Sequence, residues 1–506
     1  MAAVDEMTFR RRFSVNPYKQ MRLPLGEMSC FKDWISDDRG EPYPVVLSNE
    51  QESALEESLP DARYRVENHT TETLYKARLL GQHFPYATYD IEVDELEMTG
   101  EESGIGICFH SECLPDLMIT VGKRQDKLGV TCKINETVQS VETDIIFCKK
   151  THLIVTCHGK QFDVYLKAGD KPEYVGMFTI PEYETILSYE VFNRTTASLF
   201  VYLRPEESVQ CAACFYLEGG ISHADIKSMR YENGQPIMEN GRIFLTFTAR
   251  LQEGGFQSVV SWNPSTDDFR MEGAIFFDLG DGNWCADIAS SVVYDRRCDA
   301  WYVWACSFSH GHVLCHGKSY ADLRYGINVI DAELMEENPG APDDTLFYAK
   351  FGDEDPDLTY DAKREKWLLA ICRLTKCDEG GEKYRYFLFE SENPFEGYVH
   401  VDHTTSGENT GGSIIRIGEK MYFLCGSDFD KRAQYRLHSI EDLSEYTLLK
   451  FDYDDGGFRG WGTLLPIPCG SRIRYMLITF DRHNGSTYNW SYGNIYVYEA
   501  DKYEKR

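Results

Sequence analysis

Asp353, Glu354, Asp355 and Asp357 stand almost side by side, directly ahead of an apolar run at 358–360 and a second at 367–372. Acids at the point where a strand begins can be presented together at one sheet edge. General acid and base work needs such an arrangement: one carboxyl ionised, one held protonated, a third to orient and tune the pair. The densest histidine group is His310-Gly311-His312 with His316. Residues two apart on a strand share a face, so two of these imidazoles could hold one metal ion or pair with hydroxyls. A turn is the plainer place for them, and with Cys315 the spacing matches no zinc set. Cys211-Ala212-Ala213-Cys214 is a single CxxC without a second half and reads as buried or inert thiols. Phe458-Arg459-Gly460-Trp461-Gly462 and Tyr488-Asn489-Trp490-Ser491-Tyr492 combine rings with hydrogen-bonding groups. Such rings stack on the apolar face of a sugar and Arg459 could hold a hydroxyl or a carboxylate, with core packing as the competing use of each ring.

The elements that must position these groups repeat. A shift of 66 residues aligns Trp301 with Trp367, Tyr294 with Tyr360, Asp295 with Asp361 and Cys306 with Cys372. Such self-similarity marks a unit built several times over. From about residue 225 five units follow one another, each a polar or acidic turn, an apolar strand, a tight turn and an aromatic strand; they start at Gln235, Asp287, Asp353, Gly411 and Trp461. The spacing is near that of a four-stranded propeller blade with its loops. In a propeller the first strand of each blade lines a central channel, so Asp287, the acids from Asp353 to Asp357, Glu408 with Asn409, and Arg459 with Trp461 would converge on one funnel.

A chain of 506 residues is too long for one core and implies two or three domains. With 32 Tyr and 28 Phe it should be mainly β. A net charge of −30 argues against nucleic acid or an anionic membrane as partner, because both would be repelled at long range. No apolar run is long enough to span a membrane as a helix, and the opening MAAVDEMTFRRRFSVNPYKQ lacks the apolar core of a secretory signal. Many of the sixteen cysteines sit inside strand-like apolar runs, as small buried hydrophobes do. A reduced, cytoplasmic protein is the expectation, in which the sequons at Asn68, Asn135, Asn193, Asn484 and Asn489 carry no information.

Three segments result. Residues 1–75 are a lead-in, with a short helix over 50–59 capped by Ser48 and Gln51 and closed by Pro60. Residues 76–222 hold short strands with polar turns at the spacing of an antiparallel β-sandwich. Residues 223–506 hold the five units. The fold class expected is therefore all-β, a sandwich followed by a five-bladed propeller.

The run from His158 to Tyr165, followed by Tyr174-Val175-Gly176-Met177-Phe178, resembles the lectin-like jelly-roll sandwich. Asp355-Pro356 with Leu358-Thr359-Tyr360-Asp361 and Lys366-Trp367-Leu368-Leu369 resembles the blades of the five-bladed propeller glycosidases, the arabinanase and β-xylosidase group with its invertase-like relatives. Asp287 with Ser291-Val292-Val293-Tyr294-Asp295 and Trp301-Tyr302 matches the strand part without the proline. Glu408 precedes a Gly-Gly strand like that of the blade bearing the family's general acid, though a few residues further upstream. The first blade offers Asn233 and Gln235 where the family has an Asp.

The resemblance implies Asp287 as base or nucleophile, Asp355 as the orienting and tuning acid with Asp357 as its substitute, and Glu408 as general acid. Asp357, His310, Arg459, Trp461 and Trp490 would contact the substrate. It implies hydrolysis of short oligosaccharides, with a small carbohydrate as the partner, no organic cofactor, and room for a divalent cation in the channel. Homo-oligomers are compatible with it. Two other readings keep the pocket. One is β-elimination from a uronic-acid sugar, with His310 or Tyr492 as base and Arg459 on the carboxylate. The other is a carbohydrate-binding propeller without catalysis.

Overall fold

Trp301-Tyr302-Val303-Trp304-Ala305-Cys306 has no polar residue to turn toward water, and the strand it forms, Ala300–Ser307, is buried along its whole length. The computed structural model explains why. Successive residues of a strand point to opposite faces. Trp301, Val303 and Ala305 pack with Phe244, Val259 and Ile275, whereas Ala300, Tyr302 and Trp304 pack with Trp367, Leu369 and Phe389. The sheet is covered on both sides, so its strands read as continuous apolar runs. The structure describes residues 7–15, 21–25, 63–69, 71, 73–99, 103–169, 172–218, 222–252, 254–335, 352–376, 382–405, 410–427, 434–452, 460–480, 494–501 and 504–505. The lead-in helix expected at 50–59 lies outside these residues. Pro181–Tyr183 and Tyr189–Phe192 are short helical turns.

The chain divides into two units, Leu23–Glu218 and Met1–Arg22 with Gly219–Arg506. In the smaller unit one antiparallel sheet runs Glu173–Thr179, Gln161–Lys167, Thr151–His158, Ala87–Glu97, Ser208–Glu218, with Arg63–Glu67 also on the last of these. The second runs Leu74–Gln82, Thr195–Leu203, Gly104–Ser111, Leu117–Arg124, Lys127–Ile134, Thr137–Ile146. Rings from the two meet: Tyr89 and Phe162 of the first each lie 5.4 Å from Phe109 of the second. Cys211 is buried and its thiol pushed up to about 12 by burial, while Cys214 is exposed.

In the larger unit five strands touch in sequence and close on themselves: Ser222–Ser228, Ile288–Asp295, Asp353–Asp361, Thr410–Ile417 and Thr463–Cys469. Each opens an antiparallel meander running outward. The first continues through Arg242–Arg250, Gly255–Asn263 and Asp268–Asp278, the second through Ala300–Ser307, Val313–Ser319 and Gly326–Leu334. Their outermost strands pair in parallel and join the two into one sheet. The third continues through Lys366–Lys376, Glu382–Ser391 and Val399–His403, the fourth through Lys420–Ser427, Gln434–Ser439 and Asp442–Leu448. The fifth has Arg472–Phe480 and Ile495–Ala500 and takes its next strand, Thr8–Val15, from the start of the chain. The internal repeat holds at the level of register: Tyr294 faces Trp301 and Tyr360 faces Trp367 across the same hairpin position.

Two expectations are corrected. The lead-in is not one segment, since Thr8–Val15 belongs to the larger unit and Arg63–Glu67 to the smaller. The first repeat does not open at Gln235: its inner strand is Ser222–Ser228, and Arg242–Arg250 is its second. This inner strand carries no apolar signal in the sequence because His223-Ala224-Asp225-Ile226-Lys227-Ser228 is half polar, and its Asp225 and Lys227 meet Arg250 and the Pro356 carbonyl rather than apolar partners.

Candidate active site

Four of the five inner strands begin with the same defect. Their pairing slips between Ala224 and Lys227, Ile288 and Ser291, Glu354 and Asp357, and Thr410 and Ser413. In each slip one residue is left-handed: Asp225 at φ 51°, Ala289 at 56°, Asp355 at 49° and Gly411 at 61°. A bulge of this kind takes a residue out of the ladder and re-aims its neighbours. Aspartate tolerates the conformation better than most residues, and Pro356, which has no N–H to donate, fits where the ladder is already broken. Gly411 is required for a second reason, because a Cβ there would lie 2.6 Å from Trp461.

The bulges bring Asp225 and Asp355, from different sheets, into electrostatic contact. Burial first, and then the Asp225 carboxylate, push the Asp355 carboxyl up to about 7, against the opposing pull of Lys227 and a hydrogen bond from the Gly411 amide. That amide donates to Asp355 Oδ2 at 2.8 Å. Lys227 is itself buried and its Nζ donates to the Pro356 carbonyl at 2.8 Å. Asp225 Oδ2 lies 3.6 Å from Arg250 Nη2. Asp225 and Asp355 each keep 7% of their surface.

Asp287 is 1% exposed. Burial raises its carboxyl, while Ser309 Oγ donates to Oδ1 at 3.0 Å and the Cys315 thiol approaches Oδ2 at 3.7 Å. By the 66-residue repeat its counterpart is Asp353, not Asp355. Asp353 is clamped by Arg373, with Nε and Nη2 at 2.9 and 3.1 Å from its two oxygens. Asp357 is spent inside the ring, where Arg230 and the Ile414 amide each reach its Oδ2 at 2.5 Å. Arg230 also donates to the carbonyls of Ile414 and Leu358 at 2.5 and 3.0 Å. The segment it heads crosses the ring beyond the acids, Tyr360 N donating to Glu232 O and Glu232 N to Tyr294 O. Asn233 and Gln235 belong to this segment rather than to a strand start, with the Asn233 carbonyl accepting from Arg416 at 3.1 Å.

His310 and His312 sit in the turn between Ala300–Ser307 and Val313–Ser319, not on a strand, so the shared-face expectation fails for them. His310 Nδ1 is 3.0 Å from Ser309 Oγ. His316 is on the strand but buried against Trp304 and Phe395, at 4.5 and 4.8 Å between ring centroids. No group of three or more His, Cys, Asp or Glu side chains among the described residues is placed to hold a metal ion. Trp461 is buried and its indole N–H donates to Thr410 Oγ1 at 2.5 Å. Glu408, Arg459, Trp490 and Tyr492 lie outside the described residues.

Glu354 was passed over as a site residue although it stands in the acidic run. Its Oε1 accepts from the Tyr384 hydroxyl at 3.1 Å and lies 2.8 Å from His312 Nε2. Asp225 was missed altogether, yet a signal existed: Ala-Asp-Ile occurs at 224–226 and again at 286–288.

The structure resembles those of five-bladed β-propeller glycoside hydrolases. Similar solved structures include a thermostable family-43 glycoside hydrolase, 14% identical over 54% of this chain and 93% of that one, with a TM-score of 0.36. An α-L-arabinofuranosidase from Podospora anserina is 12% identical over 56% of this chain and 92% of its own, at a TM-score of 0.37. A Bacillus subtilis levansucrase variant is 10% identical over 56% and 87%, at 0.39. No protein-family model and no curated protein matches the sequence.

Proposed function

We propose that the larger unit is a five-bladed β-propeller that hydrolyses glycosidic bonds, and that the smaller unit is a lectin-like sandwich. The observation that carries the reading is the Asp225 and Asp355 pair. Two buried carboxyls from separate sheets interact electrostatically, and one of them is pushed up to about 7 by burial and by the other. Environments that drive two acids apart supply both partners of glycosyl transfer to water, a protonated donor for the leaving oxygen and a carboxylate for the water or the anomeric carbon. In this proposal Asp355 is the general acid and Asp225 the base or nucleophile. Asp287, held by Ser309, fixes the turn that carries His310 and His312. This departs from the set implied by the family resemblance, where Asp355 tunes, Asp287 is base or nucleophile and Glu408 donates the proton: Asp225 enters from outside that set and Asp355 takes the donor's role.

The two assignments separate by kinetics on short oligosaccharides and aryl glycosides. Asp355→Asn should lower kcat/KM by about 10²–10⁴-fold for poor leaving groups and much less for nitrophenyl ones, as loss of a general acid does. The activity should fall as pH rises through about 7, where Asp355 loses its proton. If Glu408→Gln gives that signature and Asp355→Asn does not, Glu408 is the donor. Hydrolysis also predicts products without the ultraviolet absorbance that β-elimination would create. If the full saccharide panel gives no turnover, the hydrolase reading is wrong.

A further inference from the structure

Charge is unevenly matched around the Asp225 and Asp355 pair. Asp225 has a cation of its own, Arg250 Nη2 at 3.6 Å from its Oδ2. Lys227 has no such partner. It is 3% exposed, its ammonium donates to a neutral acceptor, the Pro356 carbonyl, at 2.8 Å, and among the described residues no carboxylate comes within ion-pair distance of it. A buried ammonium in that position needs negative charge nearby. The carbonyl it grips belongs to the residue after Asp355, so the ammonium is tied through the backbone to the bulge that carries that carboxyl. With Asp225 ionised beside Arg250 and one proton on Asp355, the two acids carry one negative charge and Lys227 is a surplus cation. Once Asp355 passes its proton to a leaving oxygen, the acids carry two negative charges and the two cations balance them.

The other groups that face Asp355 do not compete for that role. Cys306, Cys372, Tyr384 and Tyr386 are each pushed up by burial and stay protonated near neutral pH. Glu354, on the same strand and held by His312, adds negative charge as Asp225 does, and the Gly411 amide adds one hydrogen bond to Oδ2. Lys227 is the cation that pulls against the two acids. We propose that Lys227 is a positioning residue for the acid pair, the fixed charge that lets Asp355 hand over its proton and take it back. It acts through Asp355. Without it that carboxyl is left with burial and two negative neighbours, and it keeps its proton to higher pH. The inference rests on the hydrolase reading for its use in turnover, but the proton itself can be followed with no substrate present.

The test is infrared difference spectroscopy of the full chain across pH, with the protonated-carboxyl band of Asp355 assigned by its loss in Asp355→Asn. Lys227→Gln keeps a donor for the Pro356 carbonyl and loses the charge, whereas Lys227→Arg keeps both. The band should vanish with a midpoint near pH 7 in wild type and in Lys227→Arg. In Lys227→Gln the midpoint should lie about one pH unit or more higher. A lysine that only ties the Pro356 carbonyl predicts no difference between the two variants. Lys227→Met, which matches the apolar stem, carries the same expectation and replaces Lys227→Gln if that variant folds poorly. An unmoved midpoint in the neutral variant, or an equal movement with arginine, overturns the inference. Should oligosaccharides also be turned over, kcat/KM should follow the band, falling roughly tenfold between pH 6 and pH 8 in wild type and only about twofold in Lys227→Gln. Turnover with the same basic limb in both overturns the inference and leaves hydrolysis standing. A moved band without turnover on any saccharide overturns hydrolysis and leaves the role of Lys227 at Asp355 standing.

Discussion

Asp355 shows what a single buried carboxyl does to the whole chain. Its folded value of about 7 lies above the ordinary value of 3.8, so between those limits the folded state holds a proton that the unfolded state has lost. Stability must then fall as pH rises from about 4 to about 7, by up to about 4 kcal/mol for a shift of this size, and level off above it. Asparagine in its place can still accept from the Gly411 amide and carries no charge at any pH. Asp355→Asn should therefore match wild type in urea midpoint near pH 4 and exceed it progressively toward pH 8. A constant offset across that range would mean the carboxyl is not buried beside Asp225. At this scale the sequence was half legible. The acidic run announced itself by composition, but which member faces inward depends on the bulges, and a slip of pairing leaves no mark on residue type. Hence the acidic run points to Asp355, while nothing in composition points to Asp225.

The inner strands are stitched to one another through the residue two places past three of the four bulges. Ser291 Oγ accepts from Leu358 N at 3.0 Å, Asp357 Oδ2 accepts from Ile414 N, and Lys227 donates to Pro356 O. Arg230 is the hub of this stitching, reaching the third and fourth inner strands at once and neutralising Asp357, with both side chains almost wholly buried. Removing one partner of a buried ion pair leaves an uncompensated charge, which costs about 3–5 kcal/mol, while replacing both by apolar residues costs far less. Arg230→Met should lower the melting midpoint of the larger unit sharply, and adding Asp357→Leu should recover much of the loss. A double variant as unstable as the single one would place the cost in packing instead. The apolar second strands were plain from sequence because both their faces are buried, as alternate members of Ala300–Ser307 show. Inner strands such as Ser222–Ser228 face polar neighbours and lack that signal.

The larger unit is completed by its own beginning. Thr8–Val15 pairs antiparallel with Ile495–Ala500 and parallel with Lys450–Asp452, and Met7 and Phe9 are buried with Leu437, Leu477 and Tyr498. The whole of Leu23–Glu218 lies in sequence between that strand and the rest of the unit, so ring closure joins segments almost the full chain apart. A sequence reading sees a short mixed segment there, because a strand's partner is not written in the strand; Thr8–Val15 buries only Phe9 fully, so its polar alternation fits a half-exposed strand as well as a lead-in. Without it Ile495–Ala500 would present an unpaired edge, a template for association with other chains. A chain lacking residues 1–15 should lose the burial of Phe9, worth about 3–5 kcal/mol alone, together with the pairing of the edge. Two units with separate cores need not unfold as one, so calorimetry should show the deletion lowering the transition of the larger unit while that of the smaller stays in place. A peptide of residues 7–15 added in excess should raise the lowered transition in proportion to the logarithm of its concentration, since it binds only the folded ring. If the deletion moves both transitions equally, or the peptide restores nothing, the first strand is not what closes the ring.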